Sequence, residues 1–174
     1  MALTEAQIQR YSRQILLAPV GGLGQERLLA CGAVRVSGSG PVFSTAAAYL
    51  AASGVATSFE GPPDEPGFLS GREGAVAELN PDAGRSAPVS GVVGRRDDTS
   101  EALHRVLVHP AAIYFSAAGQ PGGHPSGDEP LPGGAEGVLL GSLVAGVMQR
   151  LILGLGVRRG ALLRDSEGGW SHVP

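Results

Sequence analysis

Apolar residues near the start of the chain recur with the spacing of a helix. Ile8, Tyr11 and Ile15 fall on one face of a helix predicted over residues 4–17. Proline and glycine residues follow this segment and end it, and a shorter helix is predicted over residues 25–30. The chain therefore begins with a helical extension ahead of its first strand.

The pattern then changes to short apolar runs on either side of a helix. Residues 33–37 predict a strand, residues 42–52 a helix and residues 55–60 a second strand. The glycine-rich residues 38–40 form the turn between the first strand and the helix. This order predicts a βαβ unit with the form of a nucleotide-binding half.

The second half of the chain adds strands, a loop and one long apolar helix. Residues 117–137 contain seven glycines and four prolines, which predicts a long loop. The other predicted elements are a helix over 73–79, a strand over 89–93, a helix over 101–107, a strand over 112–116, an apolar helix over 138–155 and a hairpin with strands over 161–165 and 170–173.

These elements predict an α/β fold. We expect a Rossmann-like, mostly parallel sheet with helices on both faces, an N-terminal helical extension and a C-terminal antiparallel hairpin. The length of 174 residues fits a single domain. Within it we expect N-terminal helices (1–32), a Rossmann-like half (33–116), the Gly/Pro-rich loop (117–137) and an interface helix with the hairpin (138–174).

The composition and charge of the chain exclude several kinds of function. The net charge of −3 gives no basic surface for nucleic acid, and all 13 basic residues are arginine, which excludes lysine chemistry. The single cysteine excludes an internal disulfide and a Cys-rich zinc site.

The N-terminus lacks the features of a secretory signal, so we expect a cytoplasmic protein. Residues 138–155 could span a bilayer, but Gln149 and Arg150 favour a helix buried on a sheet or in a subunit interface, and we expect no membrane partner.

Several segments together resemble one enzyme family. The segment Arg10–Leu17, with the sequence RYSRQILL, is the most specific, and the match continues at residues 24–26, 47–55, 79–81 and 137–154. On these residues the chain resembles the ThiF/MoeB/HesA family, bacterial relatives of the ubiquitin-activating enzymes, in a shortened form. The resemblance implies a dimer and the adenylation, with ATP and magnesium, of the C-terminal glycine of a ubiquitin-like or sulfur-carrier protein.

The turn that the family uses for phosphate is altered in this chain. The resemblance places the cofactor-binding turn at Gly38, Ser39 and Gly40, where the family has the pattern G-x-G-G-x-G. Pro41 has no N–H to offer a phosphate, and Phe43 puts a ring where the family has a glycine. We therefore expect a degenerate ATP site and no bound cofactor, with ATP and magnesium as the alternative.

The remaining nucleotide contacts that the resemblance implies are few. Glu60 is the candidate for the ribose or else a solvated strand end, and Arg72 is the one cation placed to meet a triphosphate. The family's magnesium-binding Asp is not found after the strand at 112–116. Asp128 and Glu129 form either a metal pair or part of a solvated loop, and we expect no metal site.

One catalytic role is implied by the first segment. Arg13 matches the arginine that the family places on the nucleotide of the partner subunit, in trans; the alternative is that Arg10 and Arg13 are simply solvated on a helix face. Cys31 and the four histidines show no catalytic or metal-ligand spacing, and we expect structural or surface roles for them.

The sequence therefore predicts a degenerate member of the family that is not itself an active enzyme. In this hypothesis it is a dimeric scaffold or regulatory subunit of a carrier-protein activating system. Its expected partner is a second copy or an active ThiF-like subunit, together with a ubiquitin-like or sulfur-carrier protein. Two alternatives stay open: a divergent ATP-dependent adenylyltransferase, and a small-molecule binder that uses the crevice at the strand ends.

Overall fold

A computed structural model describes residues 2–61, 89–95, 102–117, 129–156 and 159–174. In chain order the elements are α1 (Glu5–Arg10), α2 (Ser12–Ile15), α3 (Gly21–Ala30), β1 (Ala33–Ser37), α4 (Pro41–Ala52), β2 (Thr57–Glu60), β3 (Val89–Gly94), β4 (His104–His109), β5 (Ala112–Ala117), α5 (Gly134–Leu153), β6 (Arg159–Arg164) and β7 (Trp170–Val173).

The described strands form one mixed sheet in the order β2-β1-β3-β4-β5-β6-β7. The first four are parallel neighbours, and the last four are antiparallel neighbours. The α/β class and the C-terminal hairpin are thus confirmed, but a mostly parallel sheet is wrong. Only Pro110 and Ala111 separate β4 from β5, and so short a connection forces an antiparallel pair.

The two long helices lie on the same face of the sheet. α4 packs on β1 and β2, α5 packs on β3, β4 and β5, and the two helices pack on each other. The sequence predicted helices on both faces of the sheet. The two long helices of the described part of the chain cover only one face. The helix predicted over residues 73–79 lies outside the described part of the chain.

The N-terminal extension is present, but its first helix is divided. Thr4 caps α1 with a complete capping box. The helix ends at Tyr11, whose backbone leaves the helical conformation, and α2 begins at Ser12. Tyr11 is buried. The fully buried Gln25 of α3 donates from Nε2 to the Ser53 carbonyl at 2.9 Å, which fixes the extension to the end of α4.

Two sequence predictions are wrong: the type of one element and the end of one loop. The helix predicted over residues 101–107 is instead β4, whose β-branched centre is buried between β3 and β5. The predicted loop of residues 117–137 ends earlier than expected, because α5 already begins at Gly134.

Glycines set the distance between α4 and α5. A Cβ on Gly141 would lie 2.8 Å from Thr45 Cβ and closer still to the Val42 carbonyl oxygen, and one on Gly137 would lie 2.6 Å from Pro41 Cγ. Neither neighbour is a flexible side-chain end, so these two positions of α5 require glycine.

The helix α5 is long and apolar enough to cross a membrane by length and composition alone. Half of it is buried in the protein. Its buried side chains join those of α4 and of β1, β3, β4 and β5 in one core. This agrees with the expectation of a helix packed on the sheet.

Candidate functional site

The glycine turn predicted to hold phosphate lies between β1 and α4. Gly38 has φ 149° and Gly40 has φ 86°, conformations that favour glycine. A Cβ on Gly38 would lie within 2.8 Å of three carbons of the Phe43 ring. Since Phe43 is 1% exposed, its ring is a fixed part of the core that fills the space beside the turn.

The start of α4 offers few backbone amides to an anion. Gly40 is the N-cap residue, no side chain caps the helix, and Pro41 occupies the first position without an N–H. The Ser44 amide bonds the Gly40 carbonyl at 3.3 Å. Only the amides of Val42 and Phe43 lack an acceptor within the helix, which makes a weak phosphate site.

Glu60, which the sequence predicted as a ribose partner or a solvated strand end, lies beside this turn. Its backbone carbonyl accepts a hydrogen bond from the Gly38 amide at 3.1 Å. Its carboxylate accepts from Ser37 Oγ at 3.2 Å and lies 3.4 Å from Arg35 Nε. The structure thus brings Gly38, Gly40 and Glu60 to one edge of the sheet, but the carboxylate already has protein partners.

The crevice above the turn is partly covered by the segment before α5. The Arg95 side chain donates to the Glu129 carbonyl, which holds this segment across the start of α4. A cavity of about 400 Å³ remains between Ser39, Phe43, Arg95 and residues 130–132. Ser39 lines this cavity, and its role in binding a cofactor stays a prediction. Arg72 and Asp128 lie outside the described residues.

The predicted catalytic Arg13 lies on α2 and is exposed to solvent. The neighbouring Gln14 donates to the Ala52 carbonyl at 3.4 Å, so α2 is held against the end of α4. Arg10 stacks over the Tyr11 ring at 5.8 Å. The action of Arg13 in trans, on a nucleotide of a partner subunit, stays a prediction.

Cys31 and His104 have environments that suit structural roles. Burial raises the pKa of the Cys31 thiol to about 11, and the thiol donates to the Leu28 carbonyl at 3.1 Å. A thiol with so high a pKa is protonated at neutral pH and is a poor nucleophile. Burial lowers the pKa of His104, which favours its neutral form. Within the described residues, no three His, Cys, Asp or Glu side chains converge on a point where a metal could bind.

A second concavity, which the sequence did not predict, lies between α5 and the C-terminal hairpin. The antiparallel register places Ile113, Leu162 and His172 side by side on one face of β5, β6 and β7. Because α5 packs on β3, β4 and β5, this face of the hairpin extends beyond the helix. The space between them is a groove, which we call the α5–hairpin groove.

A glycine shapes the floor of the α5–hairpin groove. Gly160 lies opposite Phe115, and a Cβ there would lie 3.0 Å from His172 Nε2 and 3.1 Å from Phe115 Cζ. The missing side chain lets the His172 ring stack on the Phe115 ring, with centroids 5.9 Å apart and planes inclined by 24°. Part of the floor is therefore a pair of stacked aromatic rings.

The wall of the groove is one side of α5. A Cβ on Gly146 would meet no atom within 4 Å, so the groove is open at this position. The volume is about 740 Å³, and the lining residues are mainly apolar, with polar groups towards the ends: Phe115, Ser142, Leu143, Gly146, Val147, Gln149, Arg150, Leu151, Leu155, Leu162 and His172. These residues come from three distant segments, so no local motif could have shown the site.

Comparison with known proteins gives a likeness of fold. No family model and no curated protein matches the chain. Among solved structures the chain resembles the crystal structure of PaaA in its selenomethionine form, with 15% identity, a TM-score of 0.59 and coverage of 98% of this chain and 74% of PaaA. At this identity the likeness concerns the fold alone.

These findings correct the family assigned from the sequence. Membership of the ThiF/MoeB/HesA family has no support from a family model or a curated relative, and the likeness to PaaA does not supply it. The assignment is withdrawn, and with it the function derived from it, a degenerate subunit of a carrier-protein activating system. The segment Arg10–Leu17 that suggested the family contains the last residue of α1, the whole of α2 and the two residues after it.

Proposed function

We propose that this protein is a binding protein, without catalytic activity of its own, for an apolar small molecule in the α5–hairpin groove. Its volume of about 740 Å³ lies within the range of about 300–1,000 Å³ that is common for small-molecule sites. Its lining combines an apolar floor with a few polar groups, as such sites do. The observation that carries the proposal is the open space at Gly146, in the middle of the wall.

The crevice above the glycine turn is the weaker candidate. Its volume is about 400 Å³, and the Phe43 ring and Pro41 occupy the positions from which a backbone would bind a phosphate. We infer that the parallel half of the sheet, with α4 as its crossover helix, is Rossmann-like in form. Its usual ligand position at the strand ends is the smaller of the two concavities described here.

A neutral fluorescent probe, N-phenyl-1-naphthylamine, tests the proposal. We expect its fluorescence to rise on addition of the protein and the rise to saturate. The variant Gly146→Leu places a side chain in the open space and should abolish the saturable rise. Two controls keep the fold and the groove: Gly146→Ala, and Ala135→Leu, which adds a similar side chain at an exposed position of the same helix.

The outcome is decided by the difference between the variants. Loss of the signal in Gly146→Leu, with both controls binding the probe, supports the groove as the site. A saturable signal of wild-type strength in Gly146→Leu would overturn it, and so would no saturable signal in the wild-type protein. Circular dichroism of all four proteins shows whether each variant is folded.

We further propose that the protein is a homodimer in the cytoplasm and that the N-terminal helices form the contact. Leu16, the residue after α2, is 84% exposed, and Leu23, on α3, is 75% exposed; both belong to the N-terminal extension. Large apolar side chains exposed on one segment are typical of an interface. Light scattering should show a dimer that Leu16→Glu with Leu23→Glu dissociates, while Leu139→Glu on α5 leaves it intact; a wild-type monomer would contradict this.

A further inference from the structure

The polar groups at one end of the α5–hairpin groove indicate which apolar molecules it binds. Gln149 and Arg150 lie in the last turn of α5 before its apolar end. Ser142 lies eight residues earlier, about 12 Å away along the helix. Between these ends the wall is Gly146 and apolar side chains. The groove is therefore an apolar channel with a cation at one end.

The Arg150 guanidinium has no protein carboxylate as its partner within the described residues. Glu136, the carboxylate of α5, lies fourteen residues earlier, about 21 Å away along the helix, and pairs with Arg164. A Cβ on Gly156 would lie 3.6 Å from Arg150 Nη2, so the guanidinium folds back over the turn that follows the helix. This leaves a planar, permanently charged group at the mouth of an apolar channel.

At this end of α5 the Arg150 guanidinium attracts an anion, whereas the backbone carbonyl groups of the helix end do not. The carbonyl end of a helix repels anions. Here the Arg150 and Leu151 carbonyls accept hydrogen bonds from the amides of Leu155 and Gly154, at 3.0 and 3.1 Å. A charge-assisted pair with a guanidinium is stronger than the remaining repulsion of a capped helix end.

We propose that the groove binds an apolar carboxylic acid, with its chain over Phe115 and Leu162 and its carboxylate on Arg150. This proposal rests on the proposed function, because it assigns a ligand class to the same groove. Arginine suits the role because its fork donates two parallel hydrogen bonds to one carboxylate. The His172 ring, stacked on Phe115, lies at the polar edge of the same floor and can donate a further hydrogen bond.

Displacement of N-phenyl-1-naphthylamine from the intact chain tests the ligand class. Decanoate and decanol carry the same apolar chain and differ in charge. We expect decanoate to displace the probe at a concentration about tenfold lower than decanol, as a charge-assisted hydrogen bond would give. In Arg150→Gln the two should displace equally, and Arg150→Lys should keep part of the difference. Arg35→Gln, which changes an arginine of β1 in the other half of the sheet, serves as the matched control.

The possible failures are distinguishable. If the wild-type protein binds the probe but decanoate and decanol displace it equally, the carboxylate proposal is wrong and the groove remains a binding site. If Arg150→Gln keeps the tenfold difference, Arg150 is not the partner and the proposal is equally wrong. If no saturable probe binding occurs at all, the proposed function itself fails.

Discussion

The crevice above the glycine turn and the α5–hairpin groove lie on the same sheet, but a large side chain fills the first and a glycine leaves the second open. In the crevice, where α/β folds commonly bind ligands, the Phe43 ring packs on Gly38. In the groove, Gly146 leaves the space between α5 and the hairpin open. The larger cavity is therefore found beside the antiparallel half of the sheet.

Glycine has two different roles on α5. Gly141 is a glycine because Val42 and Thr45 leave no room for a Cβ. Gly146 has open space around it, and the absence of a side chain there keeps the groove open. The position of a cavity in a fold family thus does not determine where this chain can bind; the sizes of a few side chains do.

The largest expected effect tests the filled crevice. Phe43→Ala removes a buried ring and should lower the free energy of unfolding by about 3–5 kcal/mol, as large core truncations do. It should leave probe binding in the groove unchanged where the variant is folded. Urea denaturation measures the change, with Tyr49→Ala as the control, because Tyr49 is a half-exposed aromatic residue of the same helix. A loss below about 1 kcal/mol would show that the ring does not fill the crevice.

The second prediction compares the two glycines of α5. Gly141→Ala should lower the free energy of unfolding by about 1–3 kcal/mol, because the added methyl group meets backbone that cannot move aside. Gly146→Ala should raise it by about 0.5–1 kcal/mol, the usual gain for alanine in a helix interior. Thermal or urea unfolding of both variants measures the pair. Equal effects of the same sign would remove the distinction between the closed and the open side of the helix.

Sequence patterns predicted the parts of the fold that rest on local periodicity. The β1-α4-β2 unit, α5 and the hairpin follow apolar runs that end at glycine or proline. The strand β4 was missed because its centre, Val106 to Val108, is buried on both sides and shows no alternation. A continuous apolar run of this length does not distinguish a strand from a buried helix.

The two candidate sites also differ in how far the sequence predicts them. The glycine turn and Glu60 lie side by side because both belong to one βαβ unit, while their role in binding a cofactor stays a prediction. The groove could not be predicted, because Phe115, Gly146, Leu162 and His172 are brought together only by the strand register and the position of α5. The large volume at Gly146 depends on a missing side chain, which has no signature in the sequence beyond one glycine among 28.

The smallest expected effect concerns His104, on the strand where the parallel half of the sheet meets the antiparallel half. Burial lowers the pKa of His104 below its ordinary value of 6.5, and its Nδ1 finds no hydrogen-bond partner in the described residues. As pH falls through 6.5, the unfolded chain takes up a proton before the folded one, so acid lowers stability. The ring is only half-buried, which keeps the effect small.

Urea midpoints of the wild-type protein and of His104→Gln at pH 7.5 and pH 5 measure this contribution. We expect the wild-type midpoint to fall further between the two values than that of the variant, since only the wild-type protein has this histidine to protonate. Probe binding in the α5–hairpin groove should keep the same pH dependence in both proteins, because His104 is not among the groove residues. An identical loss of stability in the two proteins would show that other groups carry the acid sensitivity. A shift of probe binding in His104→Gln would show that the junction of the two halves influences the groove, so that the two concavities are not independent.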